Sequence, residues 1–319
     1  MTEQQEQSTK SGPTKSGQTK CGFAAIIGAP NAGKSTLLNA LVGSKIAIVT
    51  HKVQTTRAAI RAIAVEGNSQ VVFVDTPGIF EPRRELDEAM VDAAWAGAED
   101  ADVVALIIDA PRGLNASVER IIEGLEKNRQ NAVLILNKVD LLKRDRLLAL
   151  TAKMMDRFSF SQTFMISALT GSGVDDIRTY LAEKMPDGPW LYPEDQLADI
   201  PTKLLAAEIT REKLYLKLHD ELPYALTVET ETWQIKKDGS VRTDQIIYVE
   251  RDSQRRILLG HKGETIRDIG SKAREELAEI LGHKVHLFLF VKVRKNWQQD
   301  PERLRMMGLD PKKRKKKKK

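Results

Sequence analysis

The nine residues GAPNAGKST, Gly28 to Thr36, follow the apolar run Phe23 to Ile27 and precede the amphipathic stretch Ser35 to Val42. The spacing fits G-x-x-x-x-G-K-[ST], a pattern that works in one local architecture. Gly28 and Gly33 let the backbone curl, so that N–H groups of the loop that also holds Ala29, Pro30, Asn31 and Ala32 turn toward phosphate oxygens. Lys34 then reaches the β and γ phosphates, Ser35 ligates Mg²⁺, and Thr36 carries the motif into the helix. A strand must lead in and a helix must lead out, because the helix N-terminus adds donors and the positive end of its dipole. Both are legible: Leu37, Leu38 and Leu41 fall at helical spacing behind the strand.

From Gly22 to about Lys184 short apolar runs (71–74, 103–108, 132–136, 164–166) alternate with polar turns and amphipathic stretches. That order predicts an α/β domain with a mostly parallel sheet and helices on both faces. The segment MPDGPWLYPED, Met185 to Asp195, carries three prolines and a glycine and reads as an interdomain linker. Beyond it the pattern becomes a helix over 201–218, strands over 224–234 and 245–250, two helices around 255 and 264–281, and a strand over 285–293, an α+β unit. The expected division is a disordered polar tail at 1–20, a nucleotide domain at 21–185, a linker at 186–200, an RNA-binding domain at 201–298 and an extension with a polybasic tail at 299–319.

Three further motifs sit at the ends of predicted strands, the edge where α/β sheets place ligands. In FVDTPG, Asp75 is placed to hold Mg²⁺ and the Gly78 N–H to sense a γ phosphate, with Thr76, Pro77 and Ile79 forming the loop around them. Between the two phosphate motifs lies KVQTTR, Lys52 to Arg57, a polar stretch in which a threonine hydroxyl completes the Mg²⁺ shell only while the γ phosphate is present. NKVD, Asn137 to Asp140, ends the strand at 132–136; the Asp140 carboxylate accepts from N1–H and the exocyclic amine of guanine, a donor pair adenine lacks. Asn137 bridges to the phosphate loop, Lys138 and Val139 lie along the base, and the backbone of Ser167 and Ala168 is expected at its O6.

GAPNAGKST, QTTR, DTPGI, NKVD and SAL together resemble the translation-factor-like P-loop GTPases, and the Era branch in particular. The resemblance implies a GTPase that binds GTP and GDP with Mg²⁺, Thr56 being the switch threonine and a metal ligand beside Ser35 and Asp75. Ile79 stands where Ras-like relatives have a water-orienting glutamine, which implies slow intrinsic hydrolysis and another electrophile. Asn31 matches the asparagine that in relatives helps hold a potassium ion, so the implied catalytic set is Lys34, Asn31, Thr56, Asp75 and Gly78.

In the second domain, RRILLGHKGETIRDIG places Gly260, His261, Lys262 and Gly263 between two helical patterns. A GxxG turn lets backbone and helix N-terminus approach a nucleic-acid backbone, and the α-β-β-α-GxxG-α-β order matches a type II KH domain. Arg255, Arg256 and Arg267 join Lys262 in a local basic cluster, and Ile257, Leu258, Ile266 and Ile269 divide between groove and core packing. The match to the C-terminal domain of the Era family extends the resemblance over about Gly22 to Trp297 and implies binding to the 3′ end of 16S rRNA during maturation of the 30S ribosomal subunit, with peripheral contact at the cytoplasmic face of the inner membrane.

The formal charge of +6 does not carry this reading: Lys312 to Lys319 are seven lysines and one arginine, and removing those eight charges leaves −2. The polybasic tail keeps open an alternative, a membrane-associated GTPase that uses it as an anchor on anionic lipid. No apolar run approaches the roughly 18 residues of a transmembrane span, and with Cys21 the sole cysteine a cytoplasmic compartment is expected.

Overall fold

The computed structural model describes residues 18–50, 60–82, 84–307 and 309. The segment containing Thr56 and the lysine-rich tail lie outside these residues.

In the first domain the strands are β1 (Lys20–Ile27), β2 (Ile60–Glu66), β3 (Ser69–Asp75), β4 (Val103–Asp109), β5 (Val133–Asn137), β6 (Thr163–Ile166) and β7 (Ala198–Asp199). The helices are α1 (Lys34–Val42), α2 (Glu85–Glu99), α3 (Ala116–Lys127), α4 (Arg144–Arg157) and α5 (Val174–Lys184). The sheet order is β6-β5-β4-β1-β3-β2-β7. Pairing is parallel from β6 through β3, while β2 runs antiparallel to β3 and β7 antiparallel to β2.

The central strands are apolar at nearly every position because both faces are covered. Ile26, Phe73, Ile107 and Ile135 pack with Leu37, Leu38 and Ile177 of α1 and α5. Ile27, Leu106, Ile108 and Leu134 pack on the opposite face with Ile121, Ile122 and Met154 of α3 and α4. The phosphate loop, the Asp75 turn, Asn137 and Ser167 therefore emerge together at the C-terminal edge of one rigid sheet.

The proline-bearing segment is held against this domain. Gln70, fully buried, accepts through Oε1 from the Leu191 and Tyr192 N–H groups at 2.9 and 3.0 Å and donates to the Tyr192 carbonyl at 2.8 Å. The Trp190 indole donates to the Asn68 carbonyl at 3.0 Å, and β7 then joins the sheet edge.

The second domain comprises α6 (Thr202–Lys217), β8 (Leu226–Ile235), β9 (Val241–Val249), α7 (Asp252–Leu259), α8 (Glu264–Leu281) and β10 (Val285–Val293), followed by α9 (Pro301–Met306). Its sheet order is β10-β9-β8, with β9 parallel to β10 and antiparallel to β8. The three longer helices cover one sheet face around Leu214, Leu226, Ile247 and Leu258.

Among the described residues, the two domains meet through an apolar patch and an ion-pair cluster. Trp297, Leu304 and Leu309 pack on Leu86, Ala89 and Met90 of α2. Lys45, in the loop after α1, pairs with Glu212 of α6 at 2.7 Å and with Glu276 of α8 at 2.5 Å.

Candidate functional site

The phosphate loop is built by close backbone approach. A Cβ on Gly28 would sit 2.4 Å from the Ile107 carbonyl oxygen, and one on Gly33, at φ +103°, would sit 2.1 Å from Asn137 Nδ2. Neither approach nor the left-handed φ tolerates a side chain. Asn31 also adopts the left-handed region, at φ +65°, which asparagine accepts more readily than most residues. The Asp75 turn closes over the loop: Ile79 N–H donates to the Gly28 carbonyl at 3.1 Å, and a Cβ on Gly78 would meet Pro30 at 3.1 Å. Thr76 ties this turn to β1 by donating to the Ile26 carbonyl at 2.9 Å.

Lys34 lies inside the loop, 6 % exposed, donating to the Gly28 and Ala29 carbonyls at 3.1 and 3.0 Å. Burial depresses its pKa to about 8, and the Asp75 carboxylate pulls in the opposite direction. A buried ammonium within a ring of backbone dipoles suits a polyanion, which restores the solvation that burial removes. Asp75 is 1 % exposed at the end of β3, while Ser35 is the second residue of α1, which follows the neighbouring strand β1. Carboxylate and hydroxyl oxygens are the hard donors that Mg²⁺ prefers, so the residues present fit that ion.

The base side is organised by Asn137, 2 % exposed. Its Nδ2 donates to the Ala32 carbonyl and its Oδ1 accepts from the Ala168 N–H, both at 2.9 Å, so one side chain ties the phosphate loop to the turn after β6. Lys138, at φ +67°, donates to the Asn31 carbonyl at 2.9 Å and pairs with Asp109 at 2.6 Å. Asp109 was missed at the sequence level, although an aspartate terminating VVALIID at the ligand edge is a readable signal. Asp140 and Val139 lie in the short 3₁₀ turn that follows, with the Asp140 side chain exposed.

In the turn after β6, the Ser167 N–H donates to the Ser172 carbonyl at 3.0 Å and the Ala168 N–H to Asn137 Oδ1 at 2.9 Å. One expectation changes. Ile79 does not line the site: its side chain is 2 % exposed within the core of α2, α3 and β4. Its apolar character is a packing requirement, and its backbone is the part that touches the phosphate loop.

In the second domain the turn between α7 and α8 has Gly260 at φ +71°, Lys262 at +49° and Gly263 at +78°. A Cβ on Gly260 would lie 2.2 Å from Thr265 Oγ1 and 3.0 Å from the Thr265 nitrogen, which only glycine avoids. Arg255, Arg256, His261, Lys262 and Arg267 are exposed around this turn, with Gly263 partly so. Of the apolar candidates, Leu258 and Ile269 are core residues, Ile266 packs partly against the same core, and Ile257 is 60 % exposed.

The interdomain pairs form a network with no sequence-level signal. Glu212, 2 % exposed, accepts from the Val49 N–H at 2.9 Å as well as from Lys45, while Lys213 pairs with Glu212 at 3.1 Å and also with Glu276. Residues 45–49 lead directly into the segment that holds Thr56, and α8 starts at the GxxG turn. Lys213 thus serves both carboxylates: burial lowers its pKa, but Glu276 and Glu212 outweigh this and leave it raised.

A P-loop nucleotide domain with a guanine-type NKxD bracket, fused to a KH domain, defines the class as a KH-bearing P-loop GTPase. A profile described as 50S ribosome-binding GTPase matches residues 23–138, and one described as KH domain matches residues 221–298. GTPase Era of Brucella suis is 62 % identical over 299 residues, covering 94 % of this chain and 96 % of that protein. GTPase Era of Mesorhizobium japonicum is 64 % identical over 292 residues, covering 92 % and 94 %. The crystal structure of Era with MgGDPNP and nucleotides 1506–1542 of 16S ribosomal RNA superposes with a TM-score of 0.87 at 35 % identity, covering 92 % of this chain and 99 % of that one. A variant Era of Aquifex aeolicus bound to GDP and aluminium fluoride gives 0.87 at 34 %, covering 92 % and 100 %. The chain belongs to the GTPase Era family, and its activity is GTP hydrolysis.

Proposed function

We propose that this GTPase is a nucleotide-driven RNA switch: it binds GTP with Mg²⁺ at the sheet edge, binds the 3′ end of 16S rRNA through the GxxG turn, and assists maturation of the 30S subunit. The observation that carries the reading is that α8, which begins at the RNA clamp, is ion-paired through Glu276 to Lys45 in the loop leading to the switch segment. The Era crystallised with MgGDPNP and a 16S rRNA segment, matched here over nearly its whole length, supports the choice of nucleotide and RNA.

Loop N–H groups and the Lys34 ammonium hold the phosphates, with Lys34 exchanging its two carbonyl partners for phosphate oxygens. Ser35, Asp75 and Thr56 would hold Mg²⁺, which would supply charge neutralisation at the phosphates. Gly78, fixed against Pro30, offers its N–H to the γ phosphate, so loss of that phosphate releases the turn. Asp140 reads guanine, while Asn137 and Lys138 hold the base turn and the phosphate loop in one frame. With the Ile79 side chain in the core, water positioning falls to backbone and switch residues, and Asn31 would help hold a potassium ion, which would supply the electrophile. Potassium should then accelerate hydrolysis over sodium at equal ionic strength.

Competition binding tests the nucleotide assignment. GTP and GDP should displace a labelled guanine nucleotide about 10⁴-fold better than ATP, because paired polar groups reject an analogue that leaves them unmatched. Asp140→Asn should shift preference toward xanthosine nucleotides. Equal competition by ATP would sink the assignment.

A further inference from the structure

The three longer helices cover one face of the second domain's sheet; on the other face Arg303 of α9 covers the end at Tyr248 and Glu229, and the β10 side carries an arrangement that the RNA clamp does not use. Along the edge strand β10, Leu287, Leu289, Val291 and Val293 pack toward the helices. The alternate residues Phe288 and Phe290 point away and are 45 % and 50 % exposed. Two neighbouring exposed phenylalanines on an edge strand are an association liability unless a ligand uses them. The Arg242 guanidinium, on β9, lies over the Phe288 ring at 4.9 Å from its centroid. Register places His286 and Lys292 of β10 on the same face, across from Arg242 and Tyr248. Of the carboxylates on this face, Glu229 pairs with Arg303 of α9, and Asp244, opposite Phe288 in register, lies 3.7 Å from Arg242 Nε.

We propose that this outer face is a second single-stranded RNA contact, where Phe288 and Phe290 stack bases and Arg242 and Lys292 meet phosphates. Flat aromatic faces interleaved with cations match a polyanion that carries π-faces, whereas a protein or lipid partner would be met by a wider apolar area. Position supports the assignment. Helix α7, which ends at Gly260, packs on β10, so the GxxG turn and the phenylalanines lie on opposite sides of one edge strand. A KH turn clamps about four nucleotides, so a longer strand leaving it can pass over the β10 edge and reach this face.

The inference rests on the RNA reading above, and the test separates the two. Affinities of the full chain with a non-hydrolysable GTP analogue are measured for a four-nucleotide RNA and for the 3′-terminal 16S rRNA segment, the latter carrying 2-aminopurine at successive positions. Phe288→Leu with Phe290→Leu keeps apolar bulk but removes the π-faces. It should leave the short RNA unaffected, weaken the long one by between about 5- and 150-fold for each stack removed, and abolish fluorescence quenching at the outlying positions. Phe288→Tyr with Phe290→Tyr should restore both. His261→Asp with Lys262→Asp should weaken both RNAs. Wild-type failure to bind either RNA overturns the RNA reading itself. Wild-type binding of both, with the leucine variant matching it on the long segment at an unchanged urea midpoint, overturns the stacking face alone. Loss of sedimentation with anionic phosphatidylserine vesicles in the leucine variant, with RNA binding intact, assigns the face to lipid and also overturns it.

Discussion

Asn137→Ala removes the single side chain that joins the phosphate loop to the turn after β6. The substitution strands two backbone groups, the Ala32 carbonyl and the Ala168 N–H, each of which loses a 2.9 Å partner at a site 2 % exposed. An unsatisfied buried polar group costs about 1–3 kcal/mol, so the pair costs about 2–6 kcal/mol. A water entering the space of the lost carboxamide places the value in the lower half of that range. Urea unfolding of the nucleotide domain without nucleotide reads this directly, and fluorescent GDP titration reads the consequence for the site. Asn137→Asp sharpens the test. It keeps an acceptor for Ala168 but sets a carboxylate oxygen against the Ala32 carbonyl, so despite its near-identical shape it should be at least as damaging as alanine. An alanine variant within about 1 kcal/mol of wild type with unaltered GDP affinity, or an aspartate variant milder than alanine, would refute the bracket.

Lys34, depressed to about 8 by burial in the free protein, regains its preference for the ammonium form beside phosphate oxygens, so its pKa rises on nucleotide binding. Below about pH 8 Lys34 exchanges no proton; above it, binding takes one up and affinity falls as pH rises. Calorimetry at pH 9 in two buffers of different ionisation heat should show uptake approaching one proton, and an absence of uptake would contradict the assignment. Breaking the interdomain network by Lys45→Met should narrow the difference in RNA affinity between GTP-analogue and GDP forms by about fivefold, equivalent to about 1 kcal/mol for a pair partly open to solvent. GDP affinity should stay unchanged, and an undiminished nucleotide effect would remove Lys45 from the coupling.

The placement of the nucleotide motifs was legible because each motif is local and sits at the end of an apolar strand. The GxxG turn was legible for the same reason, once helices and strands flanked it in order. What escaped depended on partners distant in sequence. Lys45 lies 167 residues from Glu212 and 231 from Glu276, and no pattern joins them. Strand β2 lies between β3 and the two-residue β7, and its charged ends Arg61 and Glu66 shorten its apolar run to Ala62–Val65. Leu191 and Tyr192 dock because Gln70, a polar residue inside a strand pattern, satisfies their backbone groups. Ile79 was read for what its side chain cannot do to water, whereas the fold turns that side chain into the core.

The central claim is that nucleotide state governs recognition of one RNA end by the KH domain. Its most direct test is equilibrium binding of the 3′-terminal 16S rRNA segment and a scrambled copy, each with Mg²⁺ and either a non-hydrolysable GTP analogue or GDP, using a chain truncated after Pro311. On single-stranded RNA each neutralised phosphate adds roughly −0.7 to the slope of log affinity against log salt, so the eight tail charges could supply a slope near −5 to −6 that is indifferent to sequence. The truncated chain should retain a preference for the true segment over the scrambled one, and that preference should be larger with the GTP analogue than with GDP. Equal affinity for both RNAs, or the same preference in both nucleotide states, would contradict the account.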